Sequence, residues 1–100
     1  MSISVTANDS INTVTITIVG SFDFSLFNDF REAYSDLTNH YKVYVVDMSM
    51  VEYLDSAALG MLLSMRNTIE LGSNIQLKGA NAFIKNILMI SRFDKRFDIQ

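Results

Sequence analysis

Four acidic side chains and one serine are the groups in this chain best suited to chemistry. Asp23, Asp47, Glu52 and Asp55 could together form a magnesium site in which an aspartate accepts a phosphoryl group. Ser56 directly follows Asp55, at the start of a segment with helical periodicity. Asp and Ser at such positions most often cap the helix, because their oxygens accept hydrogen bonds from free backbone N–H groups. The residue types alone therefore leave a helix cap and a functional site as alternatives.

Other catalytic groups are scarce in the sequence. The chain has no cysteine, and its one histidine, His40, lies at the predicted end of the first helix, where a surface role is typical. There is no glycine-rich phosphate loop, no zinc-ligand spacing and no nucleophile elbow of the hydrolase type. We therefore expect a protein that is not an enzyme, with no catalytic residue, no cofactor and no metal, and the acidic magnesium site stays a rival hypothesis.

Size and composition indicate one domain over residues 1–100. The chain is 49% hydrophobic and contains no proline, no internal repeat and no flexible linker, and a chain of this length suits one core. A net charge of −3 argues against nucleic-acid binding. The sequence shows no signal peptide and no apolar run of about 18 residues. We therefore expect a cytoplasmic protein without direct membrane insertion.

The first part of the chain predicts a hairpin followed by a helix. Alternating apolar residues at 3–5 and 14–18 predict two strands joined by a turn. From Phe24 onward the apolar residues recur at helical spacing, and Ser25 is placed to cap the first turn. This pattern predicts a first helix of about four turns.

The second part of the chain alternates between strands and helices. The run Val43–Val46 predicts a central strand that is covered on both faces and ends at Asp47, with a connection over residues 48–54. A clear helical pattern then runs from Ala58 to Ile69, and Gly72 is placed to end that helix. The remaining predicted elements are a strand over 75–78, a third helix opening at Asn81, and a short last strand near Phe97 and Ile99.

This order of elements predicts an α/β domain with a mixed four- to five-stranded sheet covered by helices. The helical links between strands should be right-handed crossovers. Functional groups in such sheets collect beyond the carboxyl ends of the strands. Asp23, Asp47 and the segment 55–60 all fall at that edge, which predicts the site there.

Apolar side chains near this edge are candidates for contact with a partner. Met48 and Met50 lie in the predicted connection, where adaptable methionine side chains suit a docking surface, whereas Leu54 suits the core. Tyr53 and Met61 belong to the same cluster in the sequence. For Phe22 and Phe24 we expect one side chain to be buried and the other to lie near the interface.

The segment from residue 45 to 60 resembles the signature of the STAS domain family. In that family a hydrophobic strand ends in Asp, a loop follows, and an Asp-Ser/Thr motif with Leu and Gly opens a helix. Six residues match this order and spacing: Asp47, Val51, Asp55, Ser56, Leu59 and Gly60. The surrounding chain fits as well, through Gly20, Phe22, Asp23, Phe93 and Phe97. Ala57 and Ala58 depart from the pattern, which has Gly commonly at the second of these positions.

The resemblance is to the anti-sigma factor antagonists, and it implies a function. In phosphorylated members the hydroxyl residue after the motif Asp is the acceptor, which is Ser56 here. The unphosphorylated form would bind an anti-sigma factor or a related serine kinase, and a serine phosphatase would restore it; the protein would be a monomer or weak dimer. The residues expected to contact the partner are Asp23, Phe24, Met48, Ser49, Met50, Asp55, Ser56 and Gly60.

Elementary electrostatics agrees with Ser56 as a phosphate acceptor. The first turn of a helix has free N–H groups and a favourable dipole, so a phosphate there would not unfold the domain. The added charge, about −1.5 to −2, would lie beside Asp55 and within reach of Asp23 or Asp47. Repulsion and desolvation would then oppose burial of that surface by a partner.

Two other functions remain open at this stage. The first is a STAS accessory subunit of a lipid-transport ATPase complex, in which the same loop would be a constant contact. The second is a receiver-like aspartyl phosphoacceptor, although receivers contain five repeated strand-helix units and this chain opens with a hairpin.

Overall fold

The computed structural model of the protein describes residues 2–37, 41–69 and 74–100. Its α-helices are α1 (Phe27–Ser35), α2 (Ser56–Thr68) and α3 (Ala82–Ile90). Single turns of 3-10 helix lie at Asp9–Ile11, Phe24–Leu26 and Phe93–Lys95. The strands are β1 (Ile3–Asn8), β2 (Thr13–Phe22), β3 (Val43–Leu54), β4 (Asn74–Lys78) and β5 (Asp98–Ile99).

The strands form one mixed sheet in the order β1-β2-β3-β4-β5. β1 and β2 pair antiparallel as the predicted hairpin, and the other neighbours pair parallel. Three helical crossovers therefore step across the sheet in the same direction. Because crossovers between parallel strands are right-handed as a rule, all three helices are placed on the same face, in agreement with the fully buried Ile16, Val46 and Leu77 on that face. The predicted α/β fold with a mixed sheet of four to five strands covered by helices is confirmed, and the sheet has five strands.

The two faces of the sheet differ in burial. The helix-covered face carries fully buried side chains from the three central strands, among them Ile16, Val46 and Leu77. On the other face the cross-strand neighbours Thr15, Val45 and Gln76 lie side by side, and only Val45 is buried. The prediction that β3 is covered on both faces is therefore wrong. Flanking strands bury Val45 without any helix above it.

β3 also continues beyond Asp47, where the sequence pattern predicted its end. It pairs with β2 up to the contact between Leu54 and Phe22, with register shifts between Thr17 and Val19 and between Gly20 and Ser21. Each shift inserts one extra residue into β3, which is a β-bulge. Beyond Met48 the inward-facing residues are therefore three apart rather than two, and this loss of alternation made the segment look like a loop.

Side-chain caps open α2 and α3, at helix starts that the sequence indicated, whereas α1 has no side-chain cap. Asn81 accepts a hydrogen bond from the Ile84 N–H at 2.9 Å and opens α3 as expected. At the first helix, Ser25 is not the cap. The Asp23 carboxylate caps the preceding 3-10 turn, and α1 itself begins without a side-chain cap and is shorter than the four turns predicted. The predicted roles of His40 and Gly72 fall outside the described residues.

Candidate functional site

The site is built where β2 and β3 end and α2 begins. The Asp55 N–H donates to the Phe22 carbonyl at 3.4 Å, which joins the ends of the two strands. The Asp55 carboxylate then accepts from the Ala58 N–H at 2.9 Å and so caps α2. Asp55 has an extended backbone, typical of an N-cap residue. The capping task thus belongs to Asp55, and Ser56 is the first residue of the helix.

Ser56 is exposed and is not needed for the fold around it. Within the described ranges its hydroxyl takes part in no hydrogen bond. Gly60 and Ser64 follow at intervals of four residues and are exposed as well, so one small, polar stripe of α2 faces outward. The opposite side of α2 is anchored in the core by Leu62 and Met65, which have no exposed surface.

The two departures from the family motif have a structural explanation. Ala58 is fully buried against the core, so its methyl group does not lie on the surface that a partner would meet. Ala57 is half-buried. Gly60 in contrast is exposed, and a Cβ atom added there would meet nothing within 4 Å. The fold therefore does not require glycine at position 60.

Asp23 and Phe24 follow Phe22, whose carbonyl accepts a hydrogen bond from the Asp55 N–H, so this segment starts near the beginning of α2. The Asp23 carboxylate accepts from the Ser25 N–H at 2.9 Å and also from the Ser25 hydroxyl, which holds the 3-10 turn. This turn projects Phe24, which is 68% exposed. Phe22 is fully buried, which confirms that one of the two phenylalanines lies in the core and the other on the surface.

Phe27 joins Phe24 at this surface and was missed by the sequence analysis. The two rings stack with centroids 5.8 Å apart, and Phe27 is 38% exposed. The helical spacing of three residues between them was a usable signal. The helical pattern drew attention to Leu26 and Phe30 instead, which are buried.

Met48 is not a surface residue. It was predicted to contact a partner, but its side chain has no exposed surface and belongs to the hydrophobic core. It faces inward because β3 continues through this position as a strand. Met50 and Tyr53 face outward, at 59% and 52% exposure, and Ser49 is exposed. Leu54 is buried, as predicted.

A tight contact supports the first bulge of β3. Gly79, directly after β4, has a φ of +80°, and a Cβ atom there would lie 2.9 Å from the Ser49 Cβ. Glycine is required at this position both by its left-handed backbone and by the close approach. Next to it, the Asp47 carboxylate accepts from the Ser49 N–H at 3.0 Å. The role of Gly79 was not predicted from the sequence.

The four acidic residues proposed as a magnesium site do not come together. Asp23, Asp47 and Asp55 each accept a hydrogen bond from a backbone N–H two or three residues ahead, and Glu52 points to solvent. Among residues 2–37, 41–69 and 74–100, no three His, Cys, Asp or Glu side chains form a group that could hold a metal ion. The receiver-type hypothesis thus has no geometric support in this part of the chain.

In the part of the chain that the structure describes, no helix combines the length and apolar character needed to cross a membrane.

Comparisons with known proteins show which sequences this chain is similar to. A family model described as "Mlab, STAS domain" matches residues 5–99. The chain is 44% identical over 88 residues to a STAS-domain containing protein, PA14_20770, of Pseudomonas aeruginosa (strain UCBPP-PA14), with 86% of each chain covered.

Solved structures of low sequence identity share the fold. An anti-sigma factor antagonist from Mycobacterium paratuberculosis superposes with a TM-score of 0.84 at 17% identity, covering 97% of this chain and 82% of that one. The anti-sigma factor antagonist SpoIIAA, unphosphorylated, gives 0.75 at 14% identity, covering 98% and 86%. The phosphorylated form of SpoIIAA, from Bacillus, gives 0.70 at 13%, covering 98% and 90%. A sulfate transporter family protein from Wolinella succinogenes gives 0.74 at 18%, covering 88% and 77%.

Proposed function

Since the chain belongs to the STAS domain family, we propose that it is an anti-sigma factor antagonist controlled by phosphorylation of Ser56. In its unphosphorylated form it binds an anti-sigma factor or a related serine kinase in the cytoplasm. The kinase ends this binding by phosphorylating Ser56, and a serine phosphatase restores it. The protein itself acts without catalysis.

The observation that carries this proposal is the exposed Ser56 hydroxyl beside a separate cap. Because Asp55 caps α2, a phosphate on Ser56 breaks no hydrogen bond of the described structure. The first-turn N–H groups and the helix dipole favour the added negative charge. The charge instead changes the surface, since Asp55 and Asp23 already lie there.

The proposed binding surface comprises Ser56 and six other predicted residues. Phe24 supplies an exposed aromatic ring, a side-chain type that is enriched in protein interfaces. Gly60, one helical turn beyond Ser56, leaves room for a partner backbone to approach closely. Met48 is removed from the surface because it is buried. The proposed contact residues are Asp23, Phe24, Ser49, Met50, Asp55, Ser56 and Gly60.

The similarity to solved structures supports this function at the level of the fold. SpoIIAA is an anti-sigma factor antagonist that has been solved with and without its phosphate. This chain superposes on both forms, so a domain of this fold tolerates the modification.

The decisive experiment compares two added charges on the same helix face. Protein from its own cells is analysed for phosphate at Ser56 by mass spectrometry, and partner capture is measured for Ser56→Ala, Ser56→Asp and Ser64→Asp. Ser64 is exposed two turns further along α2, so Ser64→Asp controls for charge alone. We expect capture by wild type, Ser56→Ala and Ser64→Asp, and a loss of about 100-fold in affinity for Ser56→Asp.

Two results would overturn the switch. One is the absence of phosphate at Ser56 under all growth conditions together with equal capture by Ser56→Asp and wild type. The other is an equal loss for Ser56→Asp and Ser64→Asp, which would show only a general sensitivity to charge.

A second candidate function is an accessory subunit of a lipid-transport ATPase complex. The same fold in a sulfate transporter family protein is the observation that favours a transport role. In that case the protein would copurify with an ATPase whatever residue occupies position 56. An aspartyl phosphoacceptor would instead carry an alkali-labile phosphate and lose function on Asp47→Asn or Asp55→Asn.

A further inference from the structure

The outer face of α3 carries large apolar side chains that no other described element covers. Ile84 and Leu88 are fully buried and attach the helix to the core. Phe83, Asn86 and Ile90 follow the i, i+3, i+7 pattern of a different face. Phe83 is 67% exposed and Ile90 72%, and Met89 beside them is 43% exposed. Single exposed apolar residues are ordinary, but three on one short helix indicate an interaction surface.

This apolar face is flanked by positive charge in an otherwise acidic chain. Residues 85–96 contain four Lys or Arg and one Asp, a net charge of +3, whereas the remainder contains four Lys or Arg and ten Asp or Glu, a net charge of −6. Lys85 is exposed one turn before Met89. Arg66 of α2 adds a further cation, because its Nε donates to the Arg96 carbonyl at 3.0 Å. The surface thus combines apolar contacts with cations at its end.

Arg92 occupies a backbone position that the fold alone would give to glycine. It lies directly after Ser91, the C-cap residue of α3, with a φ of +62°, which is the left-handed conformation that usually terminates helices at Gly. A side chain other than Gly or Asn is unfavourable there. The side chain is exposed, so it contributes no packing in return. A strained residue kept on the surface is consistent with a binding role for its charge.

We propose that the outer face of α3, with Lys85, Arg92, Lys95 and Arg96, docks an acidic amphipathic helix of a protein partner. Apolar residues of that helix would cover Phe83 and Ile90, and its Asp or Glu side chains would pair with the cations. The proposal goes beyond the Ser56 switch and does not depend on phosphorylation.

Charge distribution favours a protein partner over an anionic membrane. All three helices lie on the same face of the sheet, so a flat bilayer placed against α3 would also approach α1. The exposed charged side chains of α1 are Asp29, Arg31 and Glu32, a net negative charge that an anionic lipid surface repels. A single helix can contact α3 and avoid α1.

The test uses defined probes and the full chain. Two synthetic helical peptides have the same apolar residues, one with Glu and the other with Lys at the flanking positions, and binding is mapped residue by residue by NMR. The third probe is vesicles of phosphatidylcholine with phosphatidylglycerol, measured by cosedimentation. We expect the Glu peptide to shift the signals of α3 and residues 91–96, with an affinity at least tenfold higher than that of the Lys peptide. We expect no binding to vesicles.

Matched variants separate binding from folding. Ile90→Ser should weaken the Glu peptide about tenfold, while Ile11→Ser, at a 63% exposed apolar residue on a different part of the surface, should not. Arg92→Gly should weaken it severalfold while leaving the melting temperature equal or higher, because glycine suits the left-handed backbone.

Three outcomes would overturn the proposal: equal binding of both peptides, signal shifts confined to other elements, or vesicle binding that Ile90→Ser abolishes. The last of these would assign the surface to a membrane. Since none of these measurements involves Ser56, failure here leaves the proposed switch intact, and failure of the switch leaves this surface intact.

Discussion

Helices α2 and α3 begin in the same way and differ in what they present to solvent. Each opens with an Asx residue whose side-chain oxygen accepts a hydrogen bond at 2.9 Å from the N–H three residues ahead. The first helical residue is the exposed Ser56 in α2 and the exposed Ala82 in α3. Beyond it, α2 shows small polar groups and α3 shows large apolar ones. The caps are thus required by the fold, whereas the outer faces of the helices are not constrained by packing and can bind partners.

The largest expected effects on stability come from buried side chains on the inner faces of α2 and α3. These effects should be of similar size in the two helices. Leu62→Ala in α2 and Leu88→Ala in α3 each remove a fully buried side chain. We expect each to lower the free energy of unfolding by about 3 kcal/mol, measured by urea denaturation. Ile90→Ala, at an exposed position of α3, is the control and should change it by less than about 0.5 kcal/mol. A small effect of Leu88→Ala alone would show that α3 is not anchored as α2 is.

The two helix caps should contribute equally to the free energy of unfolding, and less than the buried leucines. Asp55→Ala and Asn81→Ala each remove the side-chain acceptor at a helix start, which should lower the free energy of unfolding by about 1 kcal/mol. Asp55→Asn keeps an acceptor and should retain most of that stability. If Asp55→Ala proved neutral in denaturation, Ser56 would have to be reconsidered as the cap and thus as a structural residue.

An added carboxylate at either helix start should change stability least. Partner binding, in contrast, should respond only to the change at Ser56. Ser56→Asp and Ala82→Asp place a carboxylate in the first turn of their helices, where the dipole favours it by about 0.3 to 1 kcal/mol. Both variants should therefore be as stable as wild type or slightly more so. Only Ser56→Asp should lose the partner in the capture assay. Loss of the partner in both variants would contradict a switch that is local to α2.

The two helix starts were predictable because their signals are local. Asp55 and Asn81 are capping residues three positions before buried residues at helical spacing, and no distant contact is needed to interpret them. Ser25 shows the limit of this reasoning. It has the right residue type, but Asp23 lies two residues earlier and takes the acceptor role for the preceding 3-10 turn.

The path of β3 was not predictable from local signals. Its inward-facing residues run from Tyr44 through Val46 to Met48 at intervals of two, and then to Val51 and Leu54 at intervals of three. The bulges that cause this change exist only because β2 lies alongside with fewer residues. Pairing with a distant segment therefore decided that Met48 is buried and Met50 exposed.

The sequence by itself determined the order of the elements, the hairpin and the start of α2, because caps and apolar periodicity act over a few residues. Tertiary structure alone decided that helices cover one face of the sheet, since this follows from three crossovers of one hand. It also decided that the outer face of α3 stays uncovered. Those outcomes depend on which elements become neighbours, and no local pattern contains that information.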